Sequence, residues 1–294
     1  MSIDSREGYI EVCGHRIWFR MDGAQNPGIP LLILHGGPGV PHDYLTGLNP
    51  LSSDRPVIWY DQYGCGNSDK PADTHHYSLD YYTRELETIR EKLGLEKIHI
   101  LGQSWGTMLV VEYMLAMNPR GVNSLILSAP CLSVSRWHAD QRRYIGELPQ
   151  KTREIILKCE ETGDYDSPEY QEAMMVFYKK HVCRLDPWPV CLEASMSKMA
   201  FDVYEYMWGP SEFTITGTLK TYEKGPYLSK IAVPTLFTCG RYDEASPDST
   251  RYYQSMVPDS HLVIFEDASH SHHLEQEEAY IKTVREFLFS IEKP

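Results

Sequence analysis

Gly102-Gln103-Ser104-Trp105-Gly106 is the stretch whose reading decides the fold. Before it runs Lys97-Ile98-His99-Ile100-Leu101, apolar enough for a buried strand. After it, Thr107-Met108-Leu109-Val110-Val111-Glu112-Tyr113-Met114-Leu115-Ala116 predicts a mostly buried helix. A strand that turns sharply into a helix strains the backbone of the central serine and exposes its hydroxyl at the turn. Gly102 and Gly106 suit so tight a bend, because side chains there would clash across it. The helix start also points free N–H groups and partial positive charge toward Ser104, which favours an anionic intermediate. A bare G-x-S-x-G arises often by chance. The readable strand and helix on either side lift Ser104 above a buried turn serine and make it the candidate nucleophile.

Working outward, residues 8–20 read as a hairpin around Cys13-Gly14. Leu31-Leu32-Ile33-Leu34 and Pro56-Val57-Ile58-Trp59-Tyr60 read as buried strands, and residues 79–93 as an amphipathic helix stopped by Gly94. Val122-Asn123-Ser124-Leu125-Ile126-Leu127-Ser128 is a further strand. The pattern resumes at Pro234-Thr235-Leu236-Phe237-Thr238-Cys239-Gly240 and His261-Leu262-Val263-Ile264-Phe265, and a helix closes it at 276–291. Strands alternating with helices imply an α/β fold with a mostly parallel sheet covered on both faces. Between about Cys131 and Lys230 strands give way to helical, aromatic, charged segments broken at Glu147-Leu148-Pro149 and Gly163-Asp164-Tyr165. The expected organisation is a catalytic domain of residues 1–130 and 231–294, with residues 131–230 inserted as a helical cap that controls specificity from outside the chemical machinery.

The 294 residues are 42% hydrophobic and 23% charged, as in a globular protein able to bury a sizeable core. No stretch has the uninterrupted apolar length of a membrane helix, and Met1-Ser2-Ile3-Asp4-Ser5-Arg6-Glu7 lacks a signal pattern. The net charge of −13, from 28 basic and 41 acidic residues, argues against nucleic acid and acidic membrane lipids as partners. Seven scattered cysteines without a C-x-x-C pair are expected to be free thiols in a cytoplasmic chain.

A serine hydroxyl needs a base, usually a histidine oriented by a carboxylate. There are 12 histidines, so position must choose. His270 follows the last strand and Asp243 the one before it. Both then sit at the edge that carries Ser104, in the order Ser, Asp, His that goes with this turn. His272 and His273 are expected to be loop or surface residues, and no accompanying carboxylate or cysteine pattern makes a metal site of them. In His35-Gly36-Gly37-Pro38-Gly39, consecutive glycines let the backbone turn so that the Gly37 N–H, with that of Trp105, forms an oxyanion hole. No G-K-[ST] follows, which disfavours a nucleotide site.

Together with Asp61-Gln62-Tyr63-Gly64-Cys65-Gly66-Asn67-Ser68, Gly209-Pro210-Ser211-Glu212-Phe213-Thr214-Ile215-Thr216-Gly217 and Gly240-Arg241-Tyr242-Asp243-Glu244, these motifs resemble the proline iminopeptidase family of α/β-hydrolases. The resemblance spans nearly the whole chain and looks closest to the tricorn-interacting aminopeptidase type. It implies an α/β-hydrolase fold with Ser104, Asp243 and His270 as the triad. It also implies that Glu212 and Glu244 bind the free α-ammonium of a peptide or amino-acid amide. The chain departs from the pattern at Asn67, where arginine is common. A desolvated ammonium needs anionic partners, so two carboxylates make physical sense in an exopeptidase. The expected function is a serine aminopeptidase acting on short peptides, preferably those beginning with proline, with no cofactor. An amino-acid amidase or esterase would share every catalytic residue, and a ligand-binding receptor would keep the fold with little turnover.

Overall fold

The computed structural model describes residues 4–71, 74 and 76–293. Eight strands form one sheet: β1 (Ser5–Val12), β2 (His15–Asp22), β3 (Leu31–Leu34), β4 (Val57–Tyr60), β5 (Ile98–Gln103), β6 (Val122–Ser128), β7 (Thr235–Gly240) and β8 (Ser260–Phe265). Their order is β1-β2-β4-β3-β5-β6-β7-β8. The β1–β2 and β2–β4 pairs are antiparallel, and every pairing from β4 to β8 is parallel. The central strands β3, β4 and β5 are buried at every position, as continuous apolar runs covered on both faces must be.

The helices are α1 (Leu79–Lys92), α2 (Trp105–Met117), α3 (Val134–Gly146), α4 (Gln150–Thr162), α5 (Pro168–His181), α6 (Val190–Ser197), α7 (Phe201–Met207), α8 (Pro247–Met256), α9 (His272–Glu275) and α10 (Glu277–Glu292). Serine hydroxyls at Ser78, Ser133 and Ser246 accept the backbone N–H of Tyr81, Arg136 and Ser249, which starts α1, α3 and α8. The α2 helix is apolar on nearly every face, and its first two turns are fully buried. One apolar cluster joins Leu32, Ile100, Met108 and Leu127 on one side of the sheet. A second joins Leu31, Leu101, Ile126 and Leu236 with Tyr280 and Leu288 of α10 on the other. Among the described residues, no helix is long and apolar enough to cross a membrane.

Helices α3 to α7 occupy the interval between β6 and β7, where no strand of the sheet lies. They carry an apolar cluster of their own, in which Tyr144, Ile156, Tyr170, Phe177 and Phe213 are buried. This segment is nevertheless tied into the loops at the carboxyl ends of the strands. The His181 carbonyl at the end of α5 accepts the backbone N–H of His270 at 3.0 Å and of Glu244 at 3.4 Å. The Val182 carbonyl accepts from Ser271 at 2.8 Å, and the Gly39 carbonyl from Ala200, just before α7, at 2.9 Å.

Candidate active site

Ser104 turns the chain from β5 into α2 with φ 55° and ψ −123°. A left-handed serine is strained by roughly 1–3 kcal/mol, so its surroundings must hold it there. They do so through the Ser104 N–H, which donates to the Ser128 carbonyl at 2.9 Å. The Ser104 carbonyl in turn accepts the backbone N–H of Thr107 at 2.8 Å and its hydroxyl at 2.6 Å. The flanking glycines are needed for contact distance. A Cβ on Gly102 would lie 2.5 Å from the Gly106 carbonyl oxygen, and one on Gly106 would lie 2.4 Å from that of Leu34. Ser104 is 8% exposed.

Asp243 follows β7 and His270 follows β8, so both reach the same sheet edge. The Nδ1 of His270 donates to Asp243 Oδ1 at 2.8 Å. Asp243 is held by the Ala245 N–H at 2.7 Å on Oδ1 and the Gly240 N–H at 3.2 Å on Oδ2. With Nδ1 committed as donor, Nε2 is the nitrogen left to accept a proton. Burial works against the charged imidazolium. The Asp243 carboxylate and the charge of Glu212 outweigh it, and His270 stands above the ordinary imidazole value.

Glu244 is fully buried, and neither of its carboxylate oxygens has a hydrogen-bond partner among the described residues. Its Oε1 lies 3.8 Å from His270 Nε2. Burial raises the Glu244 carboxyl well above the usual range, and the charges of Glu212 and Asp243 add to the shift. Glu212 sits on the turn after α7. The Trp137 indole N–H donates to its carbonyl at 2.8 Å, and its own N–H donates to the Tyr178 hydroxyl at 3.3 Å. Burial raises Glu212 as well, opposed by the charge of His270 and the Tyr204 hydroxyl. Ser104, Gly37, Trp105 and Glu212 face one cavity of about 200 Å³ of empty space, whose apolar wall is Met108, Cys131, Trp137 and Trp208. The Gly37 and Trp105 N–H groups donate to no protein acceptor among the described residues. Of the aromatics between β6 and β7, Trp137 and Trp208 therefore line the serine cavity. Tyr178, Trp188 and Tyr204 line a neighbouring one.

Gln62 was not anticipated. Its side-chain amide donates to the His35 carbonyl at 3.1 Å and accepts the Trp105 indole N–H at 2.8 Å, while its backbone N–H donates to His35 Nε2 at 2.9 Å. It therefore spans the glycine loop after β3 and the turn after β5. Its signal was its place right after Asp61 in a loop at the carboxyl end of β4. Asp61 accepts from the His42 N–H at 3.0 Å and ring at 2.7 Å, and from the Asn67 N–H at 2.9 Å and amide at 3.1 Å. Asn67 thus closes this loop at the position where the resemblance implies arginine.

His272 and His273 depart from the expectation of loop or surface residues. Both are buried, at 0% and 1% exposure, on a short helix that packs against α10 and the His42–Ser53 segment. His272 Nε2 lies 3.1 Å from the Ser128 hydroxyl and 3.0 Å from that of Thr238. Burial holds His272 well below the ordinary imidazole value and His273 at about 3. All seven cysteines are free, and no cluster of three His, Cys, Asp or Glu among the described residues is arranged to hold a metal ion.

A mostly parallel sheet with a strained serine turn after its fifth strand and an Asp–His pair at the same edge defines an α/β-hydrolase. Residues 29–277 match the family model described as alpha/beta hydrolase fold. A proline iminopeptidase of Heyndrickxia coagulans is 46% identical, over 97% of this chain and 99% of its own. One from Saccharolobus solfataricus is 39% identical, over 98% and 93%. The solved proline iminopeptidase of Mycobacterium smegmatis superposes with a TM-score of 0.90 at 32% identity, covering 97% of this chain and 98% of its own. The chain belongs to the proline iminopeptidase family of α/β-hydrolases.

Proposed function

We propose that the protein is a serine aminopeptidase that releases an N-terminal residue, preferably proline, from short peptides. The observation that carries this reading is the buried Glu244 carboxylate, without a hydrogen-bond partner among the described residues and 3.8 Å from His270 Nε2, with Glu212 facing the serine cavity. Two buried carboxyls whose charges repel are raised toward the neutral form, and the free ammonium of a peptide is the cation that would hold them ionised. An N-terminus anchored there sets the first carbonyl against Ser104.

In this mechanism His270 Nε2 takes the proton of the Ser104 hydroxyl as Oγ attacks the first carbonyl carbon. The Gly37 and Trp105 N–H groups hold the resulting oxyanion. His270 then protonates the departing amine, the peptide bond breaks, and an acyl-enzyme remains. Water, deprotonated by His270, releases the amino acid and restores Ser104. Asp243 keeps His270 in the tautomer with Nε2 free and supports its charge. Helices α3 to α7 act as the cap that bounds the site. The unpaired cysteines fit a reducing, cytoplasmic setting.

The test joins two measurements. Ser104→Ala, folded by circular dichroism, is expected to lose turnover of prolyl amides and labelling by a fluorophosphonate. Near-normal turnover by the folded variant would remove Ser104 as nucleophile. Acetyl-prolyl amide should resist the wild-type enzyme. Its ready hydrolysis would leave an amidase or esterase instead.

A further inference from the structure

We propose that a second chamber, which shares Glu212 with the serine cavity, seats the second residue of the peptide and selects large apolar side chains there. The proposal rests on the aminopeptidase reading above and extends it to the departing side of the scissile bond.

The chamber contains about 1020 Å³ of empty space, counting its open mouth, against about 200 Å³ in the serine cavity. Met174 and Met175 of α5, Leu192 and Met196 of α6, Met199 and Trp188 form most of its wall. Glu212 belongs to both cavities, so the two meet at that residue. Val40 also lines the chamber, three positions along the loop from Gly37.

The first residue of a substrate has little freedom. Its ammonium is fixed at Glu212 and Glu244, its carbonyl carbon at Ser104 and its oxygen at Gly37 and Trp105. Its side chain is then confined to the smaller cavity, which suits a compact ring. The departing residue begins at the same carbonyl, and its Cα lies about 3.8 Å from that of the first. The loop that binds the oxyanion leads through Val40 into the larger chamber, so the next side chain has that apolar space before it. Four methionines on mobile, unbranched side chains can adapt to leucine, phenylalanine or methionine. Among the described lining residues there is no lysine, arginine or histidine, whereas Asp166 and Glu205 are present. An acidic second residue meets repulsion and finds no partner.

The experiment compares kcat/KM for prolinamide, Pro-Gly, Pro-Asp, Pro-Leu and Pro-Phe in the wild type and in the double variant Met175→Gln, Met199→Gln. Both methionines are only partly buried, and circular dichroism checks that the variant keeps its fold. Wild type is expected to favour Pro-Leu and Pro-Phe over Pro-Gly by about tenfold or more, and Pro-Asp least. The double variant should lose about tenfold more on Pro-Leu than on prolinamide. Equal losses on the two, or a wild type indifferent to the second residue, would overturn the proposal while leaving the aminopeptidase reading standing. A variant that instead reorders prolinamide, alaninamide and leucinamide would assign the chamber to the first residue and also overturn it. Failure of the wild type to hydrolyse any free-amine substrate would end both readings together.

Discussion

Replacing Gln62 by methionine should damage catalysis much more than substrate binding. The side chain keeps its length but loses both polar contacts, to the His35 carbonyl at 3.1 Å and from the Trp105 indole at 2.8 Å. His35 and Trp105 are both buried, at 0% and 2% exposure, so water does not replace the lost partners. Leaving a buried neutral donor or acceptor unsatisfied costs about 1–3 kcal/mol, so two such groups cost roughly 2–6 kcal/mol of stability. The freed segments are those that carry the Gly37 and Trp105 N–H groups. Misplacing an oxyanion donor typically costs about 3–4 kcal/mol of transition-state stabilisation, or roughly 100- to 1000-fold in kcat. KM should move little, because the oxyanion exists only in the transition state and intermediates. The assay is steady-state hydrolysis of a prolyl anilide well below the melting temperature of the variant, with affinity for a prolyl boronate as a second readout. A purely structural role would lower the melting temperature and leave kcat intact. A folded Gln62→Met enzyme with kcat within about threefold of wild type would refute the reasoning.

Glu212→Gln and Glu244→Gln should each lose about 3–5 kcal/mol on free-amine substrates, as removal of one partner from a buried charge pair does, and far less on a substrate without the ammonium. Equal losses on both kinds of substrate, compared by kcat/KM, would assign these residues a structural role instead. The acid limb of kcat/KM should fall above the ordinary imidazole value of about 6.5, because His270 is raised and its protonated form cannot accept the serine proton. A pH profile that stays flat down to the unfolding range would exclude a histidine base. Glu85 is buried in the core with Oε2 accepting the Tyr63 N–H at 3.0 Å, and burial raises its carboxyl well above the usual range. A raised carboxyl contributes stability at low pH that is lost as pH rises through its folded value. Glu85→Gln should therefore match wild type at acid pH and melt higher at alkaline pH, and a melting difference independent of pH would contradict this.

The sheet was readable because its strands are short apolar runs bounded by Gly and Pro, and because Ser104, Asp243 and His270 each follow such a run. Helix α8 was overlooked, since Ser246-Pro247-Asp248-Ser249-Thr250-Arg251 is polar and its apolar face rests mainly on Tyr253 and the covered backbone. His272 and His273 were misjudged because a loop histidine is ordinarily solvated, and only the packing of α9 against α10 and the distant His42–Ser53 segment encloses them. Gln62 was legible only as part of a motif, with no role of its own, because its partners are 27 and 43 positions away. The methionine chamber was illegible for a similar reason. Its wall comes from three separate helices, and no periodicity within any one of them shows which faces converge. Full burial of Glu244 also runs against the usual fate of glutamate and becomes intelligible only beside Glu212 and His270.

The end of α5 holds the backbone of Glu244, His270 and Ser271 through two consecutive carbonyls, those of His181 and Val182. The helical segment is therefore no interchangeable cassette. A chimera that borrows it from another member of the family inherits a template for the base as well as a roof, and it works only if the graft reproduces that last helical turn.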